Sequence, residues 1–422
     1  MAEVLAVDIG ESFVGAAIER AGRPTLVELG SGRPFAPCAL HLPPEGDVTV
    51  GEEADELAVR APHLVARRFW RRLGDDIPFI VGGRAWPAEA LVAEVLRWAA
   101  RAAGVAPAAV TLAACRPLDW GEHFQGRLRA AAERAGFVSF VSSPSPLAAA
   151  RWYLDQGALR APATIAVYDF GGLGCDAAVV RVNERSELEP VGRPVRLDDV
   201  GGANLDHILY VLAAEALGLD VALYRSLDQR DLIEMEALRN AAAAAKERLS
   251  SESATTITAN VHGRPLEVRI TRSEFEERAL GVIERTTASL RGALAGAGLD
   301  AEALDAIVVV GGASAVPLVS AVLAEEFGRP LVTDGHARAA ALFGALAMAR
   351  AAAPARLSPP VSPIAPVEVQ RRTPAARFEP PTRAVPAAGP RPVAPPPERD
   401  AEPAPRSWGP PPAAATPAPS SG

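Results

Sequence analysis

Lysine is almost absent: the 422-residue chain contains one, Lys246, against 42 arginines. The bias towards Ala, Arg, Gly and Pro fits a high-GC coding background in which lysine is rarely used. A lone lysine there is either a chance survivor or marks a position that needs a compact ammonium rather than a planar guanidinium. Cysteine is scarce as well. Cys38, Cys115 and Cys175 are odd in number and lack metal-ligand spacing, which excludes a disulfide framework and a zinc site and implies a reducing, cytoplasmic compartment. No run of eighteen apolar residues occurs, and Met1 leads straight into a strand-like segment, so neither a membrane partner nor a signal sequence is expected. A net charge of −8 argues against nucleic acid as the main partner. No G-x-x-x-x-G-K-[ST] segment exists, which excludes a P-loop NTPase.

What remains has the composition of a globular protein, 49% hydrophobic and 22% charged, and it divides near residue 350. From Ala351 to Gly422 there are 21 prolines in 72 residues, with too few apolar side chains to offset the entropy of ordering. This stretch reads as a disordered, partly polyproline II tail, serving either as a docking segment for a protein partner or as a passive appendage. Residues 1–350 read as the folded body.

The body alternates strands with helices, an α/β pattern. Val4-Leu-Ala-Val-Asp8-Ile-Gly10 is an apolar run ending in Asp-x-Gly, and Ile165-Ala-Val-Tyr-Asp169-Phe-Gly171-Gly172 repeats the design 161 residues later. Ile307-Val-Val-Val-Gly311-Gly312 is a third such end. Helical periodicity runs over 88–103, through Leu91, Val95, Leu96 and Trp98, and again over 125–135. Glycine at the turn after a strand lets backbone N–H groups approach phosphate oxygens, and an aspartate at the strand end can hold a hydrated magnesium ion. The alternative for each aspartate is a strand-end cap.

The resemblance carried by these segments is specific. Asp8-Ile-Gly-Glu-Ser12 resembles the first phosphate motif of the DnaK-like heat-shock 70 kDa chaperone family, and Asp169-Phe-Gly-Gly-Leu-Gly-Cys-Asp176 resembles the second. Gly201-Gly202-Ala-Asn-Leu-Asp206, Ala242 to Ser250 around Lys246, and Val310-Gly311-Gly312-Ala-Ser-Ala-Val-Pro317 resemble its later nucleotide-contacting segments, in the same order. The resemblance covers residues 4–350. It implies an actin-like ATPase fold of two lobes, about 1–183 and 184–350, each with a mixed five-stranded sheet flanked by helices. Both phosphate hairpins are then expected in the first lobe.

The resemblance further implies ATP or ADP with Mg²⁺ as cofactors. Asp8 and Asp169 would hold the metal, with Asp176 in support. Gly10, Ser12, Gly171 and Gly172 would line the phosphates, and Gly201, Gly202, Lys246, Ser250, Gly311 and Gly312 the nucleoside. Lys246 and Ser250, four residues apart, would reach one ligand from one helix face; the alternative for Lys246 is a solvated surface position.

Four positions depart from the family pattern. Trp70 stands where a phosphate-contacting lysine belongs, and Ser145 in Pro144-Ser-Pro146 stands where a catalytic glutamate belongs. Glu11 and Gly174 each replace a phosphate-facing threonine. A carboxylate about 4 Å from a phosphate costs roughly 4 kcal/mol, so Glu11 must turn away or help to hold the metal. The adenine side changes too, with Ala243 in place of a glutamate and Ala315 in place of an arginine. The segment after Arg350 lacks the linker and β-rich domain through which such a chaperone holds clients, so co-chaperones gain little support. The expected function is a slow or impaired ATPase whose lobes switch with nucleotide. The alternatives are a pseudo-ATPase scaffold that recruits a partner through its tail, and a small-molecule kinase using Asp119.

Overall fold

The computed structural model describes residues 3–219, 229–261, 264–352 and 355–357, together with the strand backbone at 367–368. Two sheets of the same plan organise the body. In the first, β1 (Glu3–Ile9), β2 (Phe13–Arg20) and β3 (Arg23–Leu26) form an antiparallel meander, with β4 (Phe35–Pro37) beside β2. Next to β1 run β5 (Val110–Arg116) and β6 (Ser139–Pro144), both parallel to it. The second sheet has β7 (Ala163–Phe170), β8 (Cys175–Val182) and β9 (Leu188–Leu197) as its meander, and β10 (Ala306–Val310) and β11 (Leu331–Val332) as its parallel strands. The orders β3-β2-β1-β5-β6 and β9-β8-β7-β10-β11 are equivalent. This is the two-lobed actin-like architecture.

Each sheet is buried on both faces, so its central strands are near-continuous apolar runs whose successive side chains enter opposite cores. Leu5, Val7 and Ile9 of β1 pack beneath α1 (Ala88–Ala102) and α2 (Glu122–Ala135), against Leu91, Val95 and Leu128. Val4 and Ala6 face the other way, towards Leu342, Phe343 and Leu346. In the second sheet, Ala166, Tyr168 and Phe170 of β7 pack towards α4 (Gly202–Ala216), α5 (Gln229–Leu249), α6 (Arg272–Ala297) and α7 (Pro317–Phe327). Ile165 and Val167 face α3 (Ser145–Asp155) instead.

Between the sheets, α3 crosses α8 (Ala340–Ala351), the helix that returns from the second sheet to pack on the first. The crossing is tight: a Cβ on Gly344 would collide with the Ala148 carbonyl. Residues there are mostly alanine, which brings two backbones together at little side-chain entropy cost. At α6, Thr271 and Glu274 form a reciprocal cap, the Thr271 N–H donating to Glu274 Oε2 at 2.7 Å.

Three boundaries differ from expectation. The second hairpin, β7–β8, belongs to the second sheet, since β7 pairs in parallel with β10 (Asp169 opposite Val310). The lobes therefore divide before Ala163 rather than at 183, and each lobe has its own hairpin. The first sheet has seven strands rather than five. The seventh, β12 (Ala355–Arg356), pairs with β6, and the following Leu357 is buried in the first core, so the body extends past residue 351 to Leu357. Of the tail, the described part beyond that is the Val367–Glu368 backbone, which pairs with the Arg84–Trp86 strand. The remainder of 358–422 lies outside the described residues.

Candidate functional site

The two hairpins meet across a cleft of about 270 Å³ between the sheets. Each closes by the same backbone bond, Gly10 N–H to Phe13 O at 2.8 Å and Gly171 N–H to Gly174 O at 2.9 Å. The turns leave the N–H groups of Glu11, Ser12, Gly172 and Leu173 without backbone partners among the described residues, as an anion cradle requires. The hairpins are in near contact, because a Cβ on Gly172 would collide with Ser12 Oγ. Gly311 closes the floor. Its φ is +91°, and a Cβ there would strike both Asp169 Oδ1 and the Phe170 carbonyl. Only glycine serves at that position.

Asp8 and Asp169 end equivalent strands and line this floor. Burial pushes each carboxyl up from 3.8 to about 6, and the charge of Asp8 adds to the effect on Asp169. Asp176, opposite Asp169 on β8, is raised by burial to about 7, against the lowering pull of Arg196. Neither Asp8 nor Asp169 has a hydrogen bond or an ion pair to its side chain among the described residues. Partly buried carboxyls held near one another make a place that favours positive charge. Among the described residues no group of three or more His, Cys, Asp or Glu converges on a metal-sized site. A cation between Asp8 and Asp169 would therefore keep most of its waters, as magnesium does.

At the other end, α4 starts directly under the second hairpin, with Gly202 N–H donating to Gly171 O and Ala203 N–H to Gly172 O, both at 2.9 Å. Lys246, on α5, enters the cleft there. Its Nζ pairs with Asp206 Oδ1 at 2.7 Å and donates to Gly202 O at 3.3 Å, with the side chain only 15% exposed. The surface alternative for the lone lysine is thereby excluded.

Of the residues singled out from sequence, Asp8, Gly10, Ser12, Asp169, Gly171, Gly172, Asp176, Gly202, Lys246, Gly311 and Gly312 line the cleft. Gly201 and Ser250 do not. Gly201 sits behind the hairpin, its N–H donating to Asn204 Oδ1 at 2.8 Å. Ser250 follows the last residue of α5, and its hydroxyl donates back to Lys246 O at 3.1 Å. Its hydroxyl is thus taken up by its own helix and does not join Lys246 in lining the cleft.

The departures from the family pattern also line the cleft. Trp70 is 5% exposed and packs on Trp120, ring centroids 4.7 Å apart, and Trp120 stacks on Phe124 at 5.4 Å. Ser145 opens α3, and its hydroxyl donates to Arg116 O at 3.1 Å. Glu11 is paired with both Arg71 and Arg196, which take up its charge. Asp119, on the loop after β5, also faces the cleft.

Sequence reasoning missed three arginines. Arg116 lines the first lobe's wall, its Nε donating to Ser142 Oγ at 2.7 Å. Arg338 enters from the segment before α8, its guanidinium carbon 4.5 Å from the Phe13 ring centre and 4.3 Å from that of Phe35. Burial lowers its pKa, and Glu247 on α5 opposes the effect. Arg196 reaches in from β9. One arginine among 42 carries no local signal of this kind.

The family model of the Hsp70 protein matches residues 130–358, more than half of the chain. The chain belongs to the Hsp70 family. The matched span holds the second hairpin, the Gly201-Gly202 segment, α5 and the Gly311-Gly312 turn, and it ends next to Leu357, the last core residue. It does not include the first hairpin or Trp70. This family of nucleotide-binding chaperones is thus represented most clearly by the second lobe and the helices that join it to the first. Among the described residues, no helix is long and apolar enough to cross a membrane.

Proposed function

We propose that this Hsp70-family chain binds Mg·ATP and Mg·ADP in the cleft and hydrolyses ATP slowly, so that nucleotide acts as a conformational ligand more than as fuel. The observation that carries the reading is the face-to-face meeting of two Asp-Gly hairpins, Ser12 over Gly172, above a glycine floor that tolerates no side chain. Asp8 and Asp169 would hold a hydrated Mg²⁺, with Asp176 in support. Ser12 and Gly172, with Glu11 and Leu173, offer backbone N–H groups to the phosphates, while Gly10 and Gly171 close the turns that present them. Lys246 is held by Asp206 where it reaches the nucleoside end, beside Gly202, Gly311 and Gly312. Gly201 and Ser250 act from behind, by setting the start of α4 and the end of α5. The metal, when bound, neutralises phosphate charge.

Slow turnover follows from the opposite wall. Trp70 is a packed indole that offers no cation, and the Ser145 hydroxyl, already donating to Arg116 O, cannot activate a water. Losing one preorganised polar group typically costs on the order of 10²–10³ in rate, and phosphoryl transfer depends mostly on such positioning. Since α3 and α8 cross between the lobes, closure around a nucleotide passes directly into that crossing. Coupled to a partner engaged by the proline-rich tail, this makes a cytoplasmic switch or scaffold. Asp119 keeps a place in the cleft for a kinase reading.

Calorimetric titration with ATP and ADP, with and without magnesium, tests the reading. Both nucleotides should bind, more tightly with the metal. Lys246→Ala should weaken both at least tenfold, about 1.4 kcal/mol, with Lys246→Ala/Asp206→Asn as the control for the carboxylate left unpaired. Absence of binding by the parent protein would sink the proposal.

A further inference from the structure

Arg196 is the residue that the family resemblance does not account for. It lies on β9 directly opposite Asp176 of β8 and leans across the cleft to the first hairpin. A guanidinium carries five N–H donors in a fixed fork. Arg196 Nε donates to Asp198 Oδ1 at 2.6 Å, Nη1 to Asp176 Oδ2 at 3.4 Å, and Nη2 to Glu11. Two N–H groups, one on each terminal nitrogen, are left over. The side chain is held from three sides while part of its fork still faces the cleft.

Its place along the cleft matters. Lys246 meets the second hairpin at the Gly171 flank, where a Cβ on Gly202 would lie 3.2 Å from Nζ and 3.5 Å from Gly171 O. Arg196 meets the same hairpin at the Gly174 flank, where a Cβ on Gly174 would lie 3.6 Å from Nη2. With the nucleoside at the lysine end, the last phosphate of the chain reaches the arginine end. One oddity of the sequence then has an explanation: Glu11, itself steadied by Arg71, anchors the guanidinium. Arg196 is the cleft-lining arginine held against both hairpins, so it is the positive charge best placed to meet a terminal phosphate.

We infer that Arg196, pinned by Glu11, is the residue through which this cleft distinguishes a nucleoside triphosphate from a diphosphate. The inference rests on the nucleotide-binding reading above. Arg196 contacts the third phosphate, and Glu11 is a positioning residue that fixes the fork before the ligand arrives, which lowers the ordering cost of binding. The preference it confers is for charge at the end of the phosphate chain, independent of the base.

Mg·ATP and Mg·ADP are titrated into the full chain and into Arg196→Ala, Arg196→Lys and Glu11→Gln. Arg196→Ala should reduce ATP affinity at least tenfold while ADP affinity changes less than twofold. Arg196→Lys should keep part of the ratio, since the charge survives without the fork. Glu11→Gln should lower ATP affinity severalfold and leave ADP unchanged. If Arg196→Ala does not fold, the other two variants carry the same test. An unchanged ATP-to-ADP ratio, or equal loss of both nucleotides, would overturn the inference and make Arg196 a strut between the hairpins. A parent protein that binds neither nucleotide would instead overturn the reading on which the inference stands.

Discussion

The two lobes share one strand order and one hairpin design, yet they line the cleft with different material. The second lobe is the richer in glycine backbone, with Gly171, Gly172 and Gly174 in its hairpin and Gly311-Gly312 at the end of β10, beside the charged side chains of Asp169, Asp176, Arg196 and Lys246. The first lines its share mostly with side chains: Glu11 in its hairpin, Arg116 and Asp119 at the end of β5, and Trp70 in the wall. A cradle of N–H groups keeps its function as long as glycine keeps the turn, whatever happens elsewhere. Catalysis by placed charges is lost as soon as those side chains change. The Hsp70 match, from residue 130, leaves out Glu11, Trp70, Arg116 and Asp119 but takes in Ser145. On the proposed reading, binding rests mainly on the backbone-lined half and slow hydrolysis on the side-chain-lined half.

The largest effect should come from trying to reverse that divide at Trp70. Its ring is a core element, packed on Trp120 and almost fully buried. Trp70→Lys removes the ring, leaves a void and brings an ammonium towards an aromatic wall. Large-to-small changes at such sites cost about 3–5 kcal/mol, and the unpaired charge adds to this. Urea denaturation should show the loss, with no gain in hydrolysis from this change alone. A variant as stable as the parent would mean that the lysine finds water or a carboxylate in the cleft, and the two walls would be more alike than the packing indicates.

A smaller effect sharpens what the lobes have in common. Asp8 and Asp169, one from each hairpin, have carboxyls raised to about 6, and Asp176 is raised to about 7, from an ordinary 3.8. The folded protein therefore holds these protons more tightly than the unfolded chain does. Their contribution to stability is greatest below pH 4 and falls as the pH rises from about 4 to about 7. Measured in EDTA, the stability of the parent relative to Asp8→Asn should decline across this window. Magnesium with nucleotide should reverse the decline, because it binds the ionised form. A difference that stays flat with pH would show that the floor is already neutralised by protein groups.

Much of the site was legible because its signals are local. A strand that stops at Asp-x-Gly carries its own reason, and the periodicity of Leu91, Val95 and Leu96 placed a helix within a residue of the observed Ala88–Ala102. Lys246 was legible through its rarity. The lobe boundary was not, since the sheet that claims the second hairpin is decided by pairing with β10, more than a hundred residues downstream. Arg196 and Arg338 were hidden for the opposite reason to Lys246, being common residues whose meaning lies in their partners. Ala355-Arg-Leu357 was hidden inside a proline-rich composition, where two paired residues and one buried leucine leave no pattern to read.

The smallest change in stability should accompany the most informative change in rate. Ser145 is the first residue of α3, where the helix dipole favours a negative charge by about 0.3–1 kcal/mol. Ser145→Glu gives up the hydroxyl's bond to Arg116 O, worth about 1 kcal/mol. The two terms nearly cancel, so the variant should fold with parent stability to within about 1 kcal/mol. It returns a carboxylate to the side-chain-lined wall without disturbing the indole packing at Trp70. A well-placed general base contributes roughly 10²–10⁴ in rate. Here the gain should be nearer tenfold, because no cation is restored at Trp70 and the Arg116 guanidinium competes for the new charge. Single-turnover hydrolysis of labelled ATP measures it, and nucleotide affinity should stay unchanged. A rate equal to that of the parent would mean that Arg116 captures the carboxylate, and Ser145→Glu/Arg116→Val should then release it. A parent that already turns over quickly would show that the first lobe's side chains have rebuilt catalysis by another route, and the division between the two walls would fail.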